Sequence, residues 1–195
     1  QYMEITIVGD FDRNTIIEQL KETVGCLAKR EPNTYKKEQE IPFPNQKMKV
    51  FNCKTNLDKA IIRIIWPTES LRDIQNARIL NVLSDIIGNR LLQEIRQTMG
   101  EAYSPKVFNY QSKVFKNRGY ISANLIVYTE KLKSITDKIY DIVDQIKGKG
   151  VTKEDLDRSI KPIISSLEKA RETNVFWLDW IKNIQQYPEK RNWAL

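Results

Sequence analysis

The chain contains 195 residues with a net charge of +7 and no histidine, and these properties exclude several classes of protein. Its 41% hydrophobic content supports a folded core, and 29% charged residues with only seven glycines and seven prolines exclude a low-complexity chain. No apolar run approaches the roughly 18 residues that a membrane span requires. Because histidine is absent, the chain cannot itself form a Ser-His or Cys-His nucleophile.

The N-terminal segment predicts a strand followed by a helix. Residues 3–9 alternate and are rich in β-branched side chains, which is typical of a strand. Either Asp10 or Asp12 can cap the next helix, in which apolar residues recur at helical spacing until Gly25.

A long connector follows, and then a pair of strands. Residues 28–49 carry three prolines and many charges without an apolar period, which predicts a domain boundary. Residues 48–53 and 60–66 predict two strands that are joined around residues 56–58.

A long helix is predicted next, with Thr68 or Ser70 as its cap and apolar residues along one stripe. Gly88 and Asn89 predict an interruption of this helix, after which the apolar face continues to Met99.

The remaining elements are two strands and two helices. The strands are predicted at about 102–112 and 118–128, and the first helix at about 130–147. The second helix begins after Thr152, whose spacing to Asp155 is a variant of the capping box. This order of elements predicts an α+β fold, in which a mostly antiparallel sheet carries helices on one face.

The two cysteines, Cys26 and Cys53, are predicted to be small buried apolar side chains. They are too few for a disulfide framework and lack the partners of a zinc knuckle.

The charged residues indicate solvated helix faces rather than a nucleic-acid site. Basic residues are interleaved with acidic ones, which is untypical of a stripe that follows phosphates. Glu154, Asp155 and Asp157 stand at a predicted helix start, where compensation of the helix dipole explains them better than acid/base catalysis.

The residues with the clearest chemical potential are Arg96 and Tyr103. Arg96 lies near the end of a predicted helix, and Tyr103 follows seven residues later, across Gly100. This placement can direct a guanidinium and a phenol to one small volume, which suits the binding of peptide carbonyl groups or an oxyanion. An arginine near a helix end is also often a surface salt-bridge partner, so the pattern alone leaves both interpretations open.

The run at 83–104, LSDIIGNRLLQEIRQTMGEAYS, resembles the C-terminal part of the pitrilysin/insulinase family of zinc metallopeptidases, which includes the mitochondrial processing peptidase. Its most specific element is the Arg-x6-Tyr spacing of Arg96 and Tyr103. Further segments extend the resemblance over nearly the whole chain, at 5–12, 24–27, 119–121, 150–156 and 174–178.

The resemblance implies the non-autonomous half of a zinc endopeptidase. In that family an inverted His-x-x-Glu-His motif in the N-terminal half holds zinc, and its glutamate activates the zinc-bound water. The C-terminal half closes the chamber and supplies an arginine and a tyrosine, here Arg96 and Tyr103, to substrate carbonyl groups and the oxyanion. We therefore expect no cofactor or metal in this fragment, and zinc in a half that is either fused to it or a partner subunit.

The resemblance also implies the domain organisation and the location. Residues 1–27 would be the tail of a preceding domain, 28–46 a connector, and 47–195 the metallopeptidase-like domain, incomplete at its C-terminus. We expect both ends of the chain to be cuts within a longer protein. Bacterial relatives are often periplasmic, so a periplasmic location is expected.

Two alternatives remain open. A family member could hold or present polypeptide in its chamber without cleaving it, as an inactive binding or structural module. Nucleic-acid binding rests on the net charge alone.

Overall fold

The computed structural model describes residues 3–28, 41–45, 47–69, 74–99, 105–112, 115, 117–185, 188 and 191. Its regular elements in chain order are α1 (Arg13–Glu22), β1 (Ala60–Thr68), α2 (Ile74–Met99), β2 (Lys106–Gln111), β3 (Gly119–Val127), α3 (Leu132–Lys149), α4 (Lys153–Ala170) and α5 (Asn174–Ile181). Short 3-10 turns lie at Val24–Cys26 and Thr129–Lys131. The chain divides into two compact units, one of Gln1–Lys36 with Ile164–Leu195 and the other of Lys37–Ile163.

The second unit contains a three-stranded antiparallel sheet in the order β1-β3-β2. Because side chains alternate along a strand, each row of register partners points to one face of the sheet. The inner face carries rows such as Ile62 with Leu125, and Ile64 with Ala123 and Val107. The outer face carries the alternate rows, whose side chains are exposed on β1 and β2, whereas on β3 only Ile126 is exposed and Ser122 is buried.

The core lies between the inner face of the sheet and the helices α2 and α3. β3 contributes alternate residues to this core, and α2 and α3 contribute residues three or four apart, as expected for one buried helix stripe. Its buried members are Ile62, Leu91, Ile95, Ala123, Leu125, Val127, Ile135, Ile139 and Ile142.

α2 lies close to β2. A Cβ built on Gly88 would stand 3.5 Å from Val107 Cβ, so the glycine permits close packing of the helix on the strand. About two helical turns before Gly88, Asn81 Oδ1 accepts a hydrogen bond of 2.8 Å from Asn109 Nδ2. The helix α2 runs without a break through Gly88 and Asn89, so the predicted interruption of this helix is wrong.

Two local signals in the sequence have the predicted structural role. Asp12 caps α1, since its Oδ1 accepts from the Thr15 amide at 2.8 Å. Thr152 and Asp155 form a capping box at the start of α4, in which the Thr152 amide donates to Asp155 and the Asp155 amide donates to Thr152.

Arg118 fixes residues 41–43 beside the start of β3. Its guanidinium carbon lies 4.2 Å from the centroid of the Phe43 ring, and Nη1 donates to the carbonyl oxygens of Ile41 and Pro42 at 3.2 and 3.1 Å. This arrangement combines a cation–π contact with charge-assisted hydrogen bonds.

The first unit contains α1 and the aromatic helix α5. Thr173 caps α5 by accepting from the Phe176 amide, and Trp177 Nε1 donates to the Arg171 carbonyl oxygen at 2.8 Å. The Phe176 ring packs against Trp177 and Trp180 at centroid distances of 5.3 and 5.8 Å. The Gln185 amide donates to Glu4 Oε1 at 3.3 Å and thus joins the two chain segments of this unit.

The α+β fold class, with an antiparallel sheet and helices on one face, is confirmed. Two predicted strands are wrong, because residues 3–9 and 48–53 form no strand within the described part of the chain. Residues 3–9 alternate in sequence, but a strand also needs a partner for its ladder of hydrogen bonds. The boundaries 1–27, 28–46 and 47–195 remain predictions.

The prediction for the cysteines is also wrong, since Cys26 and Cys53 are both exposed. Cys26 lies in the 3-10 turn after α1, where its Sγ approaches the Glu22 carbonyl oxygen at 3.1 Å. Cys53 is the last residue of the predicted strand that does not form, so nothing in that segment buries it.

Candidate functional site

Arg96 lies in the last turn of α2, and its side chain is exposed. The preceding residue, Ile95, lies on the side of α2 that is buried in the core, whereas Arg96 lies on the exposed side of the helix. A cation in a last helical turn is favoured by the helix dipole. Arg96 has no ion-pair or hydrogen-bond partner among the residues that the structure describes.

The part of α2 that carries Arg96 is held firmly by its surroundings. Leu91 and Ile95 are buried in the core between the sheet and α3. On the neighbouring side of the helix, Lys138 Nζ of α3 lies 3.0 Å from Glu94 Oε1. The backbone of this turn is thus fixed by apolar packing and by a charged contact beside Ile95.

A second anchor of α2 is the ion pair between Arg90 and Asp155. Arg90 Nη2 lies 2.5 Å from Asp155 Oδ2 and Nε lies 3.3 Å from Oδ1, so both carboxylate oxygens receive a donor. Each side chain is 19% exposed. Next to this pair, Asn89 Nδ2 donates to Ser159 Oγ at 3.3 Å, so α4 packs on α2 through polar contacts.

The ion pair strongly affects the protonation of Asp155. The hydrogen bonds from Arg90 hold the pKa of the Asp155 carboxyl well below its usual range, and the backbone and hydroxyl of Thr152 lower it further, against the effect of burial. Asp155 correspondingly raises the pKa of Arg90. Asp155 is therefore a permanently charged structural group at neutral pH rather than a candidate acid or base.

Tyr103 belongs to residues 100–104, which lie outside the described residues. The elements on either side of it are both described: α2 ends at Met99 and β2 begins at Lys106. These elements contact each other at Gly88 and Val107 and through the side chains of Asn81 and Asn109. The structure thus places Arg96, and the partnership of Arg96 with Tyr103 remains a prediction.

No group of three or more Cys, Asp and Glu side chains within the described ranges could hold a metal ion. Cys26 and Cys53, the softest candidate ligands, are exposed free thiols. Among the same residues, no helix combines the length and the apolar character needed to cross a membrane.

Sequence reasoning missed the role of Arg90 and underestimated that of Asp155. Spacing reveals the capping box because Thr152 and Asp155 are three residues apart. Arg90 and Asp155 are 65 residues apart, and only the packing of α4 on α2 brings them together. Compensation of the helix dipole therefore describes only part of the role of Asp155, which lies in the first turn of α4 and also pairs with Arg90.

A family model shows the family to which the chain belongs. Residues 1–163 match the family model described as "Peptidase M16 inactive domain". The match confirms the resemblance to the pitrilysin/insulinase metallopeptidases that residues 83–104 indicate. No curated protein sequence matches the chain.

Two solved structures share the fold. The periplasmic protease PqqL from Escherichia coli superposes with a TM-score of 0.75 at 14% identity, over 95% of this chain and 21% of PqqL. A peptidase M16 inactive domain from Pseudomonas fluorescens gives a TM-score of 0.55 at 15% identity, over 70% of this chain and 34% of that domain. The chain thus spans about a fifth of the first of these proteins and a third of the second. Since the family model covers most of its length, the chain belongs to the peptidase M16 inactive domain family.

Proposed function

We propose that this chain is the zinc-free half of a metallopeptidase, and that Arg96 and Tyr103 contact the substrate at a zinc site carried by another half. Arg96 would donate hydrogen bonds to a substrate carbonyl group, and Tyr103 would donate to the oxyanion of the tetrahedral intermediate. The zinc ion, held by an inverted His-x-x-Glu-His motif outside this sequence, would supply an activated water.

The observation that carries this proposal is the state of the Arg96 side chain. It is exposed and has no charged partner among the described residues, whereas its helix is fixed by a buried core and the Arg90–Asp155 pair. A guanidinium on a rigid base is suited to binding a carbonyl group or an oxyanion, because little reorganisation is needed at the moment of reaction.

Family membership supports the rest of the proposal. A domain described as inactive fits a chain that lacks histidine and has no three-ligand group in its described part. The partner would be an N-terminal half that carries zinc, and the substrate a peptide. The fold shared with a periplasmic protease supports a periplasmic location.

The test is zinc-dependent hydrolysis of a quenched fluorescent peptide by the intact parent protein or by this chain with its zinc-bearing half. We expect Tyr103→Phe and Arg96→Gln each to reduce the rate by about 10²–10³, with weaker effects on peptide binding. Tyr140→Phe is the matched control, because Tyr140 is an exposed tyrosine of α3. Its rate should equal that of the wild type.

The same experiment separates the alternatives. If wild type cleaves and neither substitution reduces the rate, the roles of Arg96 and Tyr103 are disproved while the peptidase assignment stands. If wild type binds the peptide without cleaving it, the chain belongs to an inactive binding module.

A further inference from the structure

The outer face of the sheet has an ordered chemical pattern. Four rows cross it: Ile61 with Ile126; Arg63 with Asn124 and Lys106; Ile65 with Ser122 and Phe108; and Pro67 with Tyr120 and Tyr110. The second row is basic, and apolar or aromatic rows lie on either side of it. The two isoleucines of the first row are 72% and 58% exposed, so water reaches an apolar surface that a folded protein normally covers.

The basic row is preorganised. Arg63 Nε donates to Asn124 Oδ1 at 2.7 Å, and Asn124 Nδ2 donates to Ser122 Oγ at 3.1 Å. This chain of hydrogen bonds holds Arg63 against the sheet and leaves its two terminal nitrogens free to donate. Lys106 lies two strands away, about 10 Å across the sheet.

The charge of this row is not compensated. Neither Arg63 nor Lys106 has a carboxylate partner within the described ranges, and none of the four rows contains an acidic residue. On α4, by contrast, the exposed Arg158 pairs with Glu154 four residues earlier on the same helix. The outer face is thus complementary to a ligand that carries negative charge between apolar groups.

The spacing of the rows is compatible with an extended polypeptide. Successive rows on one face are two residues apart, or about 6.6 Å. An extended polypeptide also repeats its side chains on one side every two residues, at the same distance. A peptide along the strand direction can therefore place an apolar, an acidic and another apolar side chain over three successive rows.

We propose that the outer face of the sheet binds an extended polypeptide segment with the pattern apolar-x-acidic-x-apolar. The carboxylate would lie over the Arg63–Asn124–Lys106 row, with the apolar side chains against Ile61 and Ile126 on one side and Ile65 and Phe108 on the other. This inference rests on the proposed function, because it defines the substrate class that the peptidase half would hold.

The observations favour a polypeptide over single-stranded nucleic acid, which also binds basic sheets with aromatic residues. The Tyr110 and Tyr120 rings stack on each other with centroids 5.0 Å apart, so each uses one face that a base would need. The first row is aliphatic and offers no platform for base stacking. A single basic row also does not follow a phosphate backbone.

The test is fluorescence anisotropy of the 195-residue chain with a labelled peptide that contains the segment Ile-Ser-Glu-Ser-Phe. Two further peptides replace Glu by Gln, or shift Glu by one position. Arg63→Glu combined with Lys106→Glu reverses the basic row. Lys133→Glu combined with Lys153→Glu is the matched control, because both lysines are exposed in first turns of α3 and α4 and the net charge changes equally.

We expect the wild type to prefer the original peptide over the Gln and shifted peptides. Reversal of the basic row should weaken binding at least about tenfold, and the control pair should change it less than about threefold. The affinity should also fall with added salt. The circular dichroism spectrum of each variant must match that of the wild type. Arg63→Gln, which introduces no repulsive charge, should also weaken binding of the peptide.

Three results would overturn the proposal. The first is that wild type does not bind the peptide at about 1 mM, because its affinity would then be too weak for a specific site. The second is equal losses in the two double variants, which indicates nonspecific attraction. The third is tighter, row-dependent binding of a single-stranded oligonucleotide. This test measures binding to the 195-residue chain alone, whereas the catalytic proposal is tested by the hydrolysis rate with the zinc-bearing half, so failure of one and failure of the other are distinguishable.

Discussion

Arg90 of α2 and Asp155 of α4 form a two-point ion pair, with Nη2 to Oδ2 at 2.5 Å and Nε to Oδ1 at 3.3 Å. The same carboxylate accepts from the amide and the hydroxyl of Thr152, at 3.0 and 2.8 Å. One aspartate thus caps α4 and fastens it to α2, six residues before Arg96. The pair is one of the contacts that hold the helix on which the candidate functional arginine lies.

Asp155→Asn should destabilise the chain. Asparagine can still accept from Thr152, but it loses the charge that pairs with Arg90, whose side chain is mostly buried. Loss of a charged hydrogen-bond partner at such a site should lower the free energy of unfolding by about 1–3 kcal/mol, measured by urea denaturation. Glu154→Gln is the control, because the Glu154–Arg158 pair is exposed and should contribute no more than about 0.5 kcal/mol. Equal losses of unfolding free energy in Asp155→Asn and Glu154→Gln would contradict the anchoring role of Asp155.

The contribution of Asp155 should depend on pH. Its pKa is lowered in the folded state, chiefly by the hydrogen bonds from Arg90, whereas an unfolded aspartate titrates near about 3.9. The folded state therefore binds fewer protons at this site, and the stabilisation is complete above that pH and decreases as the pH falls below it. The difference in unfolding free energy between wild type and Asp155→Asn should be constant from about pH 7 to 5 and about 1 kcal/mol smaller at pH 3. A difference that stays constant down to pH 3 would assign the effect to packing alone.

Gly119 is required by the close approach of β3 and the end of β1. A Cβ at this position would collide with the Glu69 carbonyl oxygen and would stand 2.7 Å from Thr68 Oγ1. Gly119→Ala should lower the free energy of unfolding by about 1–3 kcal/mol, because backbone must move to admit the methyl group. Gly148→Ala provides the control, since no atom lies within 4 Å of the position that its methyl group would take, and alanine favours helix. The thermal midpoint should fall in the first variant and stay or rise in the second.

Local signals predict much of the fold. Asp12 and the Thr152–Asp155 box mark helix starts because a cap is satisfied within three residues, and the alternation in β3 marks its buried face. Residues 3–9 carry a similar alternation and form no strand in the described part of the chain. Alternation indicates which face a strand would bury, but it does not supply a neighbouring strand.

The candidate site is less accessible to sequence reasoning. The pattern locates Arg96 near a helix end, where the structure places it, and leaves open whether it forms a surface salt bridge. That question depends on residues distant in sequence, as does the Arg90–Asp155 contact across 65 residues. Prediction of the rows on the outer face also requires the pairing register of the strands, which the sequence does not give. A shift by one residue would move Arg63 to the inner face.

The two faces of β1 should respond differently to truncation. Ile62 is 6% exposed within the core, and its neighbour Ile61 is on the outer face. Ile62→Ala should lower the free energy of unfolding by about 2–4 kcal/mol, because it removes buried methyl groups and leaves a cavity. Ile61→Ala should cost less than about 1 kcal/mol and should instead weaken the peptide binding proposed for the outer face. Equal stability losses would indicate that the outer face is covered in solution.

Arg90 and Arg96 lie six residues apart on α2, and their substitution should distinguish an effect on the stability of the chain from an effect on its function. Arg90→Gln breaks the pair with Asp155 and should lower the free energy of unfolding by about 1–3 kcal/mol. Arg96→Gln removes an exposed side chain without a partner in the described residues, so its unfolding curve should lie within about 0.5 kcal/mol of wild type. If the parent peptidase with Arg96→Gln also loses about 10²–10³ in rate, the loss arises at the substrate and not from unfolding. A destabilised Arg96→Gln variant would instead assign Arg96 to the fold and remove the main support for its catalytic role.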